Sequence, residues 1–110
     1  MLEVNTQNAG GSIVMTPVGD VDLSCSRELQ GHIKRALEGK PKSLVVNLEK
    51  VPYMDSSGVA TLVEAMQIAR KQGTRLVLCG LQDKVRSIFE IARLDRVFTI
   101  ASDVQAAAAS

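Results

Sequence analysis

Residues 43–58 read SLVVNLEKVPYMDSSG, and this stretch decides the fold. Leu44, Val45, Val46 and Leu48 make a short apolar run, the mark of a strand covered on both faces. Asn47 breaks the run and is expected to hydrogen-bond locally near the strand end. Val51-Pro52-Tyr53-Met54-Asp55-Ser56-Ser57-Gly58 then reads as a loop. Residues 59–72 follow as a helix, with Val59, Leu62, Val63 and Met66 as its buried stripe and Gly73 as its stop.

The same reading extends to both sides. Upstream, residues 2–7 and 12–18 form two strands around the turn Asn8-Ala9-Gly10-Gly11, a hairpin pattern. Ile13, Met15 and Pro17 share one face, and Pro17 suggests that the second strand is partly unpaired near its end. Residues 23–37 read as a helix, because Leu29, Ile33, Ala36 and Leu37 make one stripe. Ser24 or Ser26 is its expected cap, and Gly39 its expected C-terminal stop. Downstream, Leu76-Val77-Leu78-Cys79 lies in a second buried strand over residues 75–80. Residues 83–93 carry a helical stripe of Val85, Ile88, Phe89 and Ala92, and residues 96–100 a last short strand. Residues 103–109 are a weak helical piece whose alanines are expected to fray, so about 101–110 is peripheral.

Strands alternating with helices after a hairpin predict an α/β fold. Its sheet is mixed and mostly parallel, of four to five strands, with right-handed crossovers. The 110 residues fit one domain, 1–110, and contain no internal repeat or linker.

Composition narrows the function. Tyr53, Phe89 and Phe98 are the full aromatic set and the net charge is +1, which leaves neither a base-stacking surface nor a strong pull toward nucleic acid. The densest basic group, Lys34 and Arg35 with Lys40 and Lys42, reads as a solvated face near a helix end. Cys25 and Cys79 lack Cys-x-x-Cys spacing, and His32 is the one histidine, so no metal site or metal cofactor is expected. The opening MLEVNTQNAGG has no basic stretch leading into an apolar run, and no segment approaches transmembrane length. A reducing cytoplasm without membrane insertion is the expected setting.

In such sheets, partners meet the loops at the C-terminal ends of the strands. Gly19-Asp20-Val21-Asp22-Leu23-Ser24 and Asp55-Ser56-Ser57-Gly58 are the two loops there that carry chemistry. Asp55, Ser56 or Ser57 could cap the following helix, and a serine at that helix entrance could equally carry a phosphate. Asp20 and Asp22 lack a third ligand or a base partner and read as solvated loop acids. A set of Ser56, His32 and Asp22 is a poor catalytic triad, since His32 falls mid-helix and no Gly-x-Ser-x-Gly is present. No catalytic residue is assigned, and the chain is read as a non-enzyme.

Met54-Asp55-Ser56-Ser57-Gly58 after the apolar run resembles the signature of anti-anti-sigma factors, the anti-sigma factor antagonists of the STAS family. The resemblance is nearly full length. It includes Gly19-Asp20-Val21-Asp22, the stretch Val45-Val46-Asn47-Leu48 with Val51 and Tyr53, residues 73–79, and Val85, Ile88 and Phe89. Val59-Ala60 stands where many relatives carry Leu-Gly, and residues 106–109 have no clear family counterpart. The resemblance implies a partner-switching regulator of bacterial transcription. Its unphosphorylated form would sequester an anti-sigma factor that is also a serine kinase of the histidine-kinase-like ATPase fold, freeing the sigma factor. Phosphorylation at Ser56 would separate the pair, and a PP2C-type serine phosphatase would reset it. Asp22, Asp55, Ser57, Gly58 and Val59 are the partner-binding positions that the resemblance implies. A non-catalytic STAS subunit of a lipid-transport or other signalling complex is the alternative.

Overall fold

The apolar run lies at the centre of the sheet in the computed structural model, which describes residues 2–109. Among the described residues the sheet has five strands, β1 (Glu3–Ala9), β2 (Ser12–Val18), β3 (Ser43–Asn47), β4 (Arg75–Cys79) and β5 (Thr99–Ala101). They lie side by side in chain order. β1 and β2 are antiparallel, with Glu3 opposite Val18 and Ala9 opposite Ser12. β3, β4 and β5 each run parallel to the preceding strand. The mixed, mostly parallel sheet and the N-terminal hairpin are as the sequence predicts. β2 meets β3 only from Ser12 to Met15, so the residues around Pro17 are unpaired on that side.

Alternation along the strands separates two apolar layers. Met15, Leu44, Val46, Leu76 and Leu78 join the main core with α1 (Ser26–Glu38), α2 (Ser56–Gln72) and α3 (Asp83–Ile91). Val45, Val77 and Cys79 point to the opposite layer, where Ala107 of α4 (Val104–Ala109) covers them. The expectation that the alanine-rich end is peripheral is corrected here. Ala107 is fully buried, and its helix packs across the back of the sheet. Alanine offers little hydropathy contrast, so the helix shows no stripe in sequence.

Element ends differ where side chains bond locally. α1 begins at Ser26 rather than at 23, because Asp22 organises a turn before it. The Asp22 carbonyl accepts the amides of Cys25 at 3.0 Å and Ser26 at 2.8 Å. Cys25 occupies the N-cap position without a side-chain bond, so neither Ser24 nor Ser26 caps the helix. At the other end Gly39 stays right-handed and Lys40 takes the positive φ of 49°. α2 begins at Ser56, earlier than its stripe suggests. Its buried face is Gly58, Thr61, Leu62, Ala65, Met66 and Ala69, while Val59 and Val63 are half-buried. α3 stops at Ile91, leaving Ala92 exposed. Arg93 turns left-handed at φ 59° into a 3-10 turn, Leu94–Arg96, and β5 starts only at Thr99. That turn brings Phe98 edge-on to Phe89, with ring centroids 5.5 Å apart.

Candidate functional site

Beyond Met15 and Val46 the paths of β2 and β3 separate, and the loops that follow them rejoin. The Gly19 amide donates to the Lys50 carbonyl at 2.9 Å and the Val21 amide to the Tyr53 carbonyl at 2.9 Å. The Asp55 amide returns a bond to the Val21 carbonyl at 3.1 Å. Val21 and Met54 thus form one isolated parallel bridge, both side chains fully buried. The two loops that the sequence singles out are brought together on one edge, as expected.

Asp55 is the N-cap of α2. Its Oδ1 accepts the Ser57 amide at 2.9 Å, the Gly58 amide at 3.3 Å and the Ser57 hydroxyl at 2.6 Å. Its Oδ2 accepts the Leu23 amide at 3.1 Å from the facing loop. One carboxylate therefore satisfies free donors of the helix and fastens the second loop to it. The Ser57 hydroxyl bond holds the Asp55 carboxyl below the usual carboxylate value; partial desolvation opposes it, and the Gly58, Ser57 and Leu23 amides add to the lowering.

The expected site residues take different places around this cap. Ser56 is the first residue of α2, exposed, and its hydroxyl has no hydrogen-bond partner among the described residues. Ser57 is half-buried and committed to Asp55. Gly58 is buried against Met54 and Val21. Val59 is half-buried one step further along the helix. Asp22 Oδ1 accepts the Ser24 amide at 2.9 Å and the Ser24 hydroxyl, so its carboxylate orders the facing loop. His32 Nδ1 lies 3.5 Å from Arg35 Nη2 on α1, and no bond links it to Ser56 or Asp22. Among the described residues no three His, Cys, Asp or Glu side chains are grouped to hold a metal ion, and no helix is long and apolar enough to cross a membrane.

Two residues of this edge escape the sequence reading. Leu23 is 78% exposed and Tyr53 47% exposed, in the two joined loops. Leu23 stands fourteen residues before Leu37, about 40° from it around a helix, so its phase groups it with the α1 stripe and gave no signal of exposure. It is exposed because α1 starts only at Ser26. For Tyr53 the sequence carries no signal beyond its place in the loop.

A model of the STAS domain matches residues 3–107. BtrV of Bordetella bronchiseptica, named for anti-sigma factor antagonism, is 27% identical over 110 residues, covering 99% of this chain and 94% of its own. The anti-sigma-B factor antagonist of Staphylococcus aureus is 29% identical over 76 residues, covering 69% of this chain and 70% of its own. The structure of the Bacillus cell fate determinant SpoIIAA in its phosphorylated form is similar with a TM-score of 0.73 at 20% identity, over 96% of each chain.

Proposed function

The chain belongs to the STAS domain family, and from that premise we propose that it is an anti-sigma factor antagonist, a non-catalytic binding switch set by phosphorylation of Ser56. In its unmodified form it binds a cytoplasmic anti-sigma factor that is also a serine kinase of the histidine-kinase-like ATPase fold. Binding frees a sigma factor for transcription. The kinase then modifies Ser56 and the pair separates, until a PP2C-type phosphatase removes the phosphate. The names of the Bordetella and Staphylococcus relatives support the target class.

The observation that carries the choice of serine is the contrast between neighbours. Ser56 offers an exposed, unpartnered hydroxyl, whereas the Ser57 hydroxyl donates to Asp55 at 2.6 Å. Phosphate on Ser56 adds about −1.5 to −2 charges at a helix N-terminus, which favours an anion by about 0.3–1 kcal/mol. The fold therefore tolerates the modification. The cost falls on the interface, where desolvating a dianion without matched cations takes several kcal/mol and lowers affinity by orders of magnitude. Asp55, Ser57 and Gly58 hold the acceptor loop, Asp22 the facing loop, and Val59 borders the contact.

The test is phosphosite mapping by mass spectrometry after incubation with the kinase and ATP, with binding curves for Ser56→Ala and Ser56→Asp. Ser56→Ala should bind and resist release. Ser56→Asp should weaken binding only partly, having one charge and a shorter reach. Phosphate on Ser57 instead, or equal affinity of the modified and unmodified forms, refutes the mechanism.

A further inference from the structure

The two edges of the sheet are built differently. At one edge β5 has three residues, Thr99–Ala101, and so short a strand offers little to pair with. At the other, β1 has seven, Glu3–Ala9, and β2 is its one strand partner among the described residues. Natural proteins blunt long edges with proline, lysine or a bulge. β1 has none of these. Its register against β2 runs unbroken from Glu3 opposite Val18 to Ala9 opposite Ser12, and Glu3 is its only charged residue.

Two observations fix which backbone groups point outward. The hairpin closes through Gly10 and Gly11 at φ 58° and 87°, a two-residue loop of the type I′ kind, so Ala9 and Ser12 exchange hydrogen bonds. Bonded pairs then recur at every second residue, at Gln7, Asn5 and Glu3. Val4 falls between them, opposite Pro17, which has no N–H to give. Val4, Thr6 and Asn8 therefore turn their N–H and C=O groups away from β2, and no backbone group outside the hairpin bonds them among the described residues.

We propose that β1 is the pairing surface for a second copy of this chain, the two strands joining antiparallel about a two-fold axis at Thr6. Self-complementarity selects this occupant. With Thr6 opposite its own counterpart, Val4 of each copy meets Asn8 of the other, and all three outward residues of both strands exchange bonds. An axis at Asn5 would set Asn8 against Leu2, which lies outside the strand and whose amide already donates to Glu28 at 2.8 Å. An axis at Gln7 would set Val4 against Gly10 in the turn. The Thr6 axis also opposes Asn5 to Gln7, whose side-chain amides can bond each other, and Glu3 to Ala9, so no like charges meet. The dimer is closed, because the same edge is used on both copies. The axis reverses strand direction, so the edges that carry Ser56 point opposite ways. Both hydroxyls stay exposed, and the dimer can hold two partners at once.

The experiment is sedimentation velocity of the full chain at micromolar and millimolar concentration. One pair of strands buries less than the roughly 1,200 Å² of a standard interface, so wild type should be monomeric when dilute and dimeric when concentrated. Thr6→Lys sets like charges directly opposite each other, and Thr6→Pro removes the central outward N–H without touching the hairpin's own bonds. Both should stay monomeric at millimolar concentration, the former with an unchanged melting temperature. Cysteines read the register. Under oxidation Thr6→Cys should link into a dimer, because facing α-carbons of a bonded pair stand about 5.5 Å apart, within disulfide range. Asn8→Cys should not, since its counterpart lies four residues along the facing strand. Cys25 and Cys79 are buried and do not compete. A wild type that stays monomeric at millimolar concentration overturns the inference, as does a dimer that survives Thr6→Lys. Asn8→Cys linking as readily as Thr6→Cys overturns the axis at Thr6.

Discussion

Gly58 lies so close to Met54 that a β-carbon built on it would stand 2.6 Å from Met54 Cγ. The same carbon would be 2.9 Å from Val21 Cγ1. The glycine of the motif is thus required by packing, at the point where the two loops meet and without any unusual backbone angle. The Val21–Met54 bridge can sit directly on the first turn of α2 only because that turn has no side chain there.

Gly58→Ala should therefore destabilise the domain. Alanine favours a helix over glycine by up to about 1 kcal/mol, but overpacking a close-fitted site costs about 1–3 kcal/mol. A net loss of about 1 kcal/mol is expected from urea unfolding. Combining it with Met54→Ala should recover part of that loss relative to Met54→Ala alone, since the clash is then relieved. Strict additivity of the two changes would show that the contact is not the cause.

Asp55→Ala should lower the melting temperature at neutral pH and matter less in acid. The Asp55 carboxyl titrates below its ordinary value of 3.8 in the folded state, chiefly through the Ser57 hydroxyl. A depressed folded pKa means that its contribution is present above the unfolded value and disappears as pH falls through the folded one. The difference in melting temperature between wild type and Asp55→Ala should be constant from pH 7 to pH 5 and shrink below pH 3.8. A gap that widened in acid would contradict the bonding described for this carboxylate.

The two motif serines should separate in stability as they do in exposure. Ser57→Ala removes the hydroxyl donated to Asp55 and should cost about 1 kcal/mol. Ser56→Ala removes an exposed hydroxyl without a partner and should stay within about 0.5 kcal/mol of wild type. Equilibrium denaturation of both variants decides it, and equal losses would count against distinct roles.

Cys79 reports on α4. Its thiol is fully buried under the last helix, and that burial, helped by the negative charges of Glu49 and Asp103, raises its pKa from 9.0 to about 11. A raised folded pKa contributes stability below the unfolded value that is lost as pH rises toward the folded one, so stability should decline between pH 9 and 11. Cys79→Ala should flatten that decline. At pH 8, a thiol reagent should label Cys79 only slowly, and Ala107→Asp, which drives a charge into the sheet, should accelerate labelling sharply. Labelling at the same rate in both proteins would mean that α4 does not cover the thiol.

How much of this was legible in the sequence follows the range of each interaction. The order of strands and helices rested on local signals, such as the apolar run at 44–46, the glycine turn at 10–11 and the stripe of α1, whose partners lie within a few residues. The Asp-Ser-Ser-Gly motif, its family resemblance and the expectation that two loops share one edge needed nothing more. Helix starts were misjudged where a side chain chose among competing local bonds, as Asp22 and Asp55 do. The helix over residues 104–109 was expected, but its packing against the sheet was missed because alanine carries no phase.

What only the tertiary structure decided are the contacts that join distant segments. Asp55 accepts the amide of Leu23, 32 residues away, and so fixes which side chains flank Ser56. Val21 meets Met54 after their strands have separated, and Gly58 fits beneath them. Periodicity records which face of an element is apolar. It does not record which hydrogen-bond donor across the fold a carboxylate will reach, or how closely two backbones approach. The residue types at this edge were therefore set by the chain alone. The division of labour between Ser56, left free, and Ser57, held by Asp55, came from the three-dimensional packing of two loops that the chain keeps far apart.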